Sequence, residues 1–276
     1  MSLTSSRIPT VARAVIYPQS AEKLIKSVRI MSYMNVRYII AGRMSNLLFK
    51  DGLYDGVIIK TDKIDRYTLA DDIMSLSCGA MLYRPISEAA RRDLGGMEGL
   101  CSIPGTVGGM IRQNAGAYGY EIADRLLEAW CFDPEADSFS RISHDEMNFS
   151  YRQSILSKKR MIILNAIFKM IPKSRERIFE EIAEYKEKRR ASQPYEHPSL
   201  GSIFKRHCGV SAGYYIDRAG LKGTSVGGAA ISEKHAGFIV NKGGATADDF
   251  LSLIELVKTR VYDLFGIELE EEIEII

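Results

Sequence analysis

Residues 99–121 read Gly-Leu-Cys-Ser-Ile-Pro-Gly-Thr-Val-Gly-Gly-Met-Ile-Arg-Gln-Asn-Ala-Gly-Ala-Tyr-Gly-Tyr-Glu, with glycine at 99, 105, 108, 109, 116 and 119 and almost no charge. Such a stretch cannot be the interior of a long helix or strand. Glycine is favoured where the backbone turns left-handed or where something approaches the main chain closely, so the rest of the fold must be built around a loop. Within it, 104–109 presents a run of bare amides beside the Thr106 hydroxyl, which suits a phosphate or pyrophosphate. A purely structural loop is the other reading. Neither common nucleotide signature is present: there is no Gly-x-Gly-x-x-Gly between a strand and a helix, and no Walker A lysine loop.

Bulk properties bound what surrounds this block. The 276 residues are 46% hydrophobic and 26% charged, enough for a sizeable core in one to three domains. A net charge of +2 gives no electrostatic case for nucleic acid, and the basic runs at 158–160 and 186–190 read as solvated faces. Cys78, Cys101, Cys131 and Cys208 fit neither a zinc nor a disulfide spacing and are expected as buried free thiols. The N-terminus lacks the apolar stretch of a signal peptide, and no run approaches the ~18 apolar residues of a membrane span. The expectation is a cytoplasmic protein with no membrane partner.

Periodicity divides the chain into parts. The pattern predicts a strand at 11–17, a Ser20-capped helix to about 33 with Leu24, Ile25, Val28 and Met31 on one face, and strands at 37–40 and 57–60. Together they form a βαβ-like unit over 1–62. The turn 42–46 follows its second strand, where α/β units bind ligands. Residues 63–172 read as α+β: a helix at 87–94 stopped by Gly95-Gly96, a hairpin of 126–132 with 138–142, a capping box at 143–146, and a buried strand at 161–171. A charged helix over 172–190 lies within a connector at 173–194. The last unit, 195–276, has strands at 227–231 and 238–241. It also has a Thr246-capped helix over 247–265 with Phe250, Leu251, Ile254, Val257, Val261 and Leu264 inward, and a final strand at 267–276.

Several segments then carry a joint resemblance. Ile103 to Gly109, followed by Asn114 to Glu121, is similar to the flavin-binding heart of the UDP-N-acetylenolpyruvoylglucosamine reductase family, in its shorter type without the extra substrate-covering loop. In order along the chain, Ser45-Asn46-Leu47-Leu48, Tyr151-Arg152-Gln153-Ser154, Gly201-Ser202-Ile203-Phe204-Lys205, Gly220 to Gly223, Gly227-Gly228-Ala229, His235-Ala236 and Leu269 to Glu272 also match. The resemblance implies an α+β protein: a two-part FAD-binding region of the vanillyl-alcohol-oxidase type and a small α+β C-terminal substrate domain. It implies FAD as cofactor and NADPH as hydride donor, with no metal. The reaction implied is reduction of the enolpyruvyl group of a UDP-sugar to UDP-N-acetylmuramate for peptidoglycan synthesis. A shared site for the two substrates explains why no separate NADP motif is visible. By the same match, the cofactor residues are Gly42, Arg43, Ser45, Asn46, Leu47, Pro104, Gly105, Thr106, Gly108, Gly109, Asn114, Ala115, Gly116, Ala117, Tyr118 and Glu121. Tyr151, Arg190, Lys205 and Arg206 fall to the substrate, and the chain is expected as a monomer.

Hydride addition to an enolpyruvyl group develops negative charge beside a carboxylate and needs a proton donor. The match gives these tasks to Arg152, Ser202 and Glu272, with Arg152 polarising the carboxylate side, Ser202 giving the proton and Glu272 assisting. Taken alone, Ser202 reads as a turn hydroxyl and Arg152 as a surface ion-pair residue. The two ways of reading the C-terminus differ. Strict alternation from Ile267 puts Glu271 on the apolar face, whereas the family register selects Glu272. Departures from the family gather at the first flavin loop, where Arg43-Met44 stands in a turn usually held by glycine, at Ser102, and at Arg206-His207. They leave a non-catalytic homologue with weakened FAD binding, or a related flavin oxidase, as the competing functions.

Overall fold

The computed structural model describes residues 3–50 and 53–276. Residues 1 and 2, which open the segment assessed above for targeting signals, lie outside them. The chain is α+β and divides into two compact units: Arg13–Arg43 with Asp55–Glu187, and Met1–Ala12 with Met44–Tyr54 and Lys188–Ile276.

The larger unit begins with the expected βαβ pattern. Helix α1 (Ala21–Tyr33) is capped by Ser20, whose hydroxyl accepts from the Lys23 N–H at 3.2 Å, and it buries Leu24, Ile25 and Val28. Strand Tyr38–Ala41 pairs in parallel with Leu53–Lys60, and Val11–Ile16 completes this three-stranded sheet. A five-stranded antiparallel sheet follows, ordered Ser138–Ser143, Leu126–Asp133, Ile162–Lys169, Ile73–Ser77, Tyr67–Ala70. Leu24, Ile59, Leu76, Ile111, Phe132 and Phe168 belong to one buried cluster that joins α1, both sheets and the glycine-rich block. The predicted helix at 87–94 is displaced: α2 spans Tyr83–Ala90. Pro85 sits in its first turn, where a missing N–H costs nothing, and Leu94–Gly95 instead pairs with Ile171–Pro172. The box at 143–146 forms on a 3₁₀ turn, Glu146 accepting from the Ser143 N–H at 2.8 Å. Helix α3 covers Val107–Arg112 and α4 covers Arg175–Ser192, with the unit boundary inside the last turns of α4.

In the smaller unit a four-stranded sheet (Ser199–Ser202, Phe238–Asn241, Ala229–Ile231, Ser225–Val226) packs with α5 (Ala212–Arg218) and α6 (Ala247–Phe265). Thr246 and Asp249 form the reciprocal cap of α6, and Gly266 ends it at φ 66°. Leu253 rather than Leu264 is buried on α6; Leu264 is exposed near the fraying end. The expected strand 267–276 is largely irregular. Only Glu274–Ile275 pairs, in parallel with Leu47–Leu48, while Glu271 bridges Phe204. Four glutamates in six residues repel along a continuous strand, and this segment instead distributes its bonds between two neighbours. Cys78, Cys101 and Cys131 are buried, but Cys208 is exposed.

Candidate functional site

In the larger unit the glycine-rich block starts from the end of strand Tyr38–Ala41. Gly42 packs directly against Thr106: a Cβ on Gly42 would lie 2.9 Å from Thr106 Cγ2 and 3.1 Å from its Cβ, with the hydroxyl oxygen closer still. Thr106 is 2% exposed and extended, and its hydroxyl makes no capping bond to α3. The run of amides is less bare than the sequence suggested. Val107 N–H donates to Ala80 O at 2.9 Å and Gly108 N–H to Cys78 O at 2.8 Å. Among the described residues the N–H groups of Thr106 and Gly109 have no partner. Unpartnered amides, an uncommitted hydroxyl and the exposed Arg43 at the end of the Gly42 turn form a donor set that fits an anionic diphosphate. Pro104 is exposed and Gly105 half-buried beside it.

The second half of the block is a hairpin. Gly116–Ala117 pairs with Tyr120–Glu121 around Tyr118 (φ 56°) and Gly119 (φ 82°), the two left-handed residues of a type I′ turn. Asn114, 1% exposed, fixes its base: Nδ2 donates to Glu121 Oε2 at 2.8 Å and to Ser150 O at 3.1 Å, and Oδ1 accepts from Ala123 N–H. Ala115 N–H bonds Met110 O at 2.8 Å. Arg152 reaches the same place, with Nη2 donating to Gly116 O at 3.0 Å and Nη1 to Asn114 O at 3.4 Å. Its guanidinium carbon lies 5.0 Å from the centre of the exposed Tyr151 ring. The motif Tyr-Arg-x-Ser therefore brings a fixed positive charge to the glycine block.

Sequence reasoning missed the support behind this hairpin. Tyr118 stacks on Tyr185 of α4 at 4.8 Å and 12° between planes, and the Tyr120 hydroxyl donates to Glu181 Oε2 at 2.8 Å. Glu181 also receives Lys173 Nζ at 2.7 Å and Arg177 Nε at 2.9 Å, while Lys173 lies 3.3 Å from the fully buried Glu98 carboxylate. Burial opposes charge on Glu181, but hydrogen bonds from Lys173, Tyr120 and Arg177 outweigh it and hold its carboxyl below the usual range. Burial likewise opposes charge on Lys173, and its bonds to Glu181 and Glu98 reverse the effect, so its pKa rises. Tyr120 is pushed upward by burial and by donating to Glu181. The i, i+4 pair of Glu181 and Tyr185 was the available signal, obscured because α4 is charged on nearly every side. Burial raises the Cys78 and Cys131 thiols to about 12 and Cys101 to about 11, which leaves them inert as nucleophiles.

In the smaller unit, residues 203–205 and 270–272 run side by side. Lys205 N–H donates to Glu270 O at 2.8 Å, and Glu272 N–H donates to Ile203 O at 2.7 Å. This pairing carries half-buried Ser202 and half-buried Glu272 on adjoining backbone. Asn46 closes the arrangement, its Nδ2 donating to Glu272 O at 2.8 Å and its carbonyl accepting from Glu274 N–H at 2.9 Å, with Leu47 in register with Glu274. The Ser45–Asn46 turn is thus tied to the strip that holds Glu272. Glu271 is committed elsewhere, to Lys258 Nζ at 2.9 Å. Lys205 pairs with Glu270, and Arg206 Nη1 donates to Gly209 O at 3.2 Å. Arg190 is exposed near the end of α4, its carbonyl accepting from Lys234 Nζ at 2.7 Å. His235 Nδ1 accepts from Gly237 N–H at 3.1 Å, a structural role, and burial lowers its pKa. Met44 takes up the strain of the altered turn: it is left-handed (φ 53°) and 3% exposed, whereas Arg43 stays out of that region.

Among the described residues no helix is long and apolar enough to cross a membrane, and no three His, Cys, Asp or Glu side chains gather as metal ligands.

Known proteins resemble both parts. Residues 12–137 match the FAD binding domain family, and 193–276 match the UDP-N-acetylenolpyruvoylglucosamine reductase C-terminal domain. The chain is 41% identical over 275 residues to the UDP-N-acetylenolpyruvoylglucosamine reductase of Caldicellulosiruptor bescii, covering 99% of this chain and 87% of that protein. It is 39% identical over 273 residues to the reductase of Clostridium botulinum, covering 99% and 89%. The crystal structure of UDP-N-acetylenolpyruvylglucosamine reductase from Thermus caldophilus superposes with a TM-score of 0.83 at 33% identity, over 99% of this chain and 95% of that one.

Proposed function

The chain belongs to the UDP-N-acetylenolpyruvoylglucosamine reductase family, and from that premise we propose which of its residues perform the reduction of the UDP-linked enolpyruvyl sugar to UDP-N-acetylmuramate. FAD, when bound, relays hydride from NADPH to one alkene carbon. The donor set around Thr106, Gly109 and Gly42 holds its diphosphate, and the hairpin 116–121 with Asn114 and Glu121 forms the adjoining wall. In this reading 1–62 and 63–172 are the two FAD-binding parts, 173–194 connects, and 195–276 binds the sugar nucleotide with help from Arg190, Lys205 and Arg206. Tyr151 joins that substrate set from its place beside Arg152. The protein acts as a cytoplasmic monomer.

Arg152 supplies fixed positive charge toward the substrate carboxylate, where negative charge develops. The Ser202 Oγ–H gives its proton to the second alkene carbon, and Glu272 assists its return to the hydroxyl form. The observation that carries this assignment is the 2.7 Å bond from Glu272 N–H to Ile203 O, which supports a working pair of Ser202 and Glu272. The engagement of Glu271 by Lys258 removes its competitor. An unactivated serine is a weak acid, so a carboxylate held on the adjoining backbone is the chemical partner it requires.

Purified protein is expected to be yellow, to bleach with NADPH and to recolour with the enolpyruvyl sugar nucleotide. Ser202→Ala should bleach normally and lose substrate-driven recolouring by at least ~10²-fold, and Glu272→Gln should follow it, while Glu271→Gln recolours at the wild-type rate. Normal recolouring of Ser202→Ala refutes the proton donor; loss in Glu271→Gln instead of Glu272→Gln refutes the choice of carboxylate.

A further inference from the structure

The hairpin 116–121 has little to hold it in shape on its own. Each of its strands is two residues long, too short for independent stability. Its turn places Tyr118 at φ 56°, a conformation that a non-glycine residue keeps only when its surroundings over-determine it. What surrounds it is α4. Tyr185 stacks face to face on Tyr118 at 4.8 Å and meets the edge of Tyr120 at 6.0 Å, so one ring contacts a residue on each arm of the turn. One helical turn earlier on the same face, Glu181 takes the Tyr120 hydroxyl, and a further turn back Ile178 is fully buried. Lys173, Arg177 and Glu98 fix Glu181 in turn.

We propose that Tyr185 is a positioning residue for the cofactor: its ring sets the turn of the 116–121 hairpin, and through it the affinity and environment of bound FAD. The proposal rests on the reading of this block as the flavin site. Tyr185 acts through Tyr118 and Tyr120 rather than by touching the reacting atoms. Its ring supplies flat, apolar contact to two hairpin residues, which an aliphatic side chain on a helix cannot reproduce.

The test compares Tyr185→Leu and Tyr185→Phe with the wild type, reading FAD dissociation by flavin fluorescence, the visible circular dichroism of the bound flavin, and amide hydrogen exchange in the apo-protein. Tyr185→Leu should weaken FAD by about three- to tenfold, the range of one aromatic pair, and alter the flavin dichroism. Its exchange should quicken in 116–121 and not in strand Leu126–Asp133. Tyr185→Phe should stay within about twofold on the same scale. FAD affinity within twofold and unchanged dichroism in Tyr185→Leu overturn the proposal, as does an equal loss in Tyr185→Phe. A wild type that takes up no FAD would defeat the flavin reading itself, a separate outcome. If Tyr185→Leu does not fold, Tyr185→Gln is read by the same three measurements.

Discussion

Gly42→Ala tests whether the first loop and the 104–109 run form one packed cradle. The added methyl would sit 2.9 Å from Thr106 Cγ2 and 3.1 Å from its Cβ, with Oγ1 closer. Thr106 is 2% exposed, so its side chain has no solvent to swing into. Overpacking of this kind costs about 1–3 kcal/mol. Gly42 is outside the left-handed region, so alanine should also recover roughly 0.4–1 kcal/mol by restricting the unfolded chain. The expected net loss is about 1–2 kcal/mol. Thr106→Ala removes both Oγ1 and Cγ2. On that background Gly42→Ala should become neutral or stabilising, which gives a coupling of about 1–3 kcal/mol between the two sites. Urea unfolding of the four apo-proteins measures the cycle, and FAD titration of the same set reports whether the collision reaches the diphosphate donors. Additivity within about 0.5 kcal/mol would show that the two segments do not pack as described, and the cradle would lose its geometric basis.

Two further outcomes follow from buried charge and backbone strain. Glu181→Gln should destabilise the protein by roughly 2–4 kcal/mol near neutral pH, because Lys173 is left short of a buried partner. The folded Glu181 carboxyl titrates below its ordinary 4.5, so its contribution is complete above that value and is lost as pH falls through the depressed one. The gap between wild type and variant in urea midpoints should therefore close as pH is lowered from neutrality through the carboxylate range; a constant gap would remove Glu181 from the ion-pair set. Met44→Gly restores the residue type common at that turn and relieves about 1–2 kcal/mol of left-handed strain. It also empties a buried site, where truncating methionine costs about 2–5 kcal/mol. Stability should fall by about 1–3 kcal/mol on these figures, and a rise in the urea midpoint would show that the buried methionine contributes little.

Periodic apolar faces and strong caps were legible in the sequence, as the Ser20 and Thr246 helices show, because those features act locally. The helix at Tyr83–Ala90 was misplaced because Gly95-Gly96 is a strong stop signal, yet Leu94–Gly95 is claimed by a partner more than seventy residues away. The C-terminal segment was misread for a related reason: alternation measures which face a side chain prefers, not which neighbour receives its backbone bonds. That error bears on the chemistry. As a continuous strand, the segment would have made Glu271 the buried carboxylate. In the fold, Glu271 is drawn to Lys258, and the main chain of Glu272 is held from both sides by Ile203 and Asn46. The motif register located the right pair although it says nothing about geometry, because it reflects the whole chain. Asn46 then acquires a second task. As a flavin-loop residue it was expected to face the cofactor, but its amide is engaged by the Glu272 carbonyl. A substitution at Asn46 should therefore disturb the proton-donating strip at least as much as flavin retention, and loss of recolouring with FAD still bound is the phenotype that separates the two.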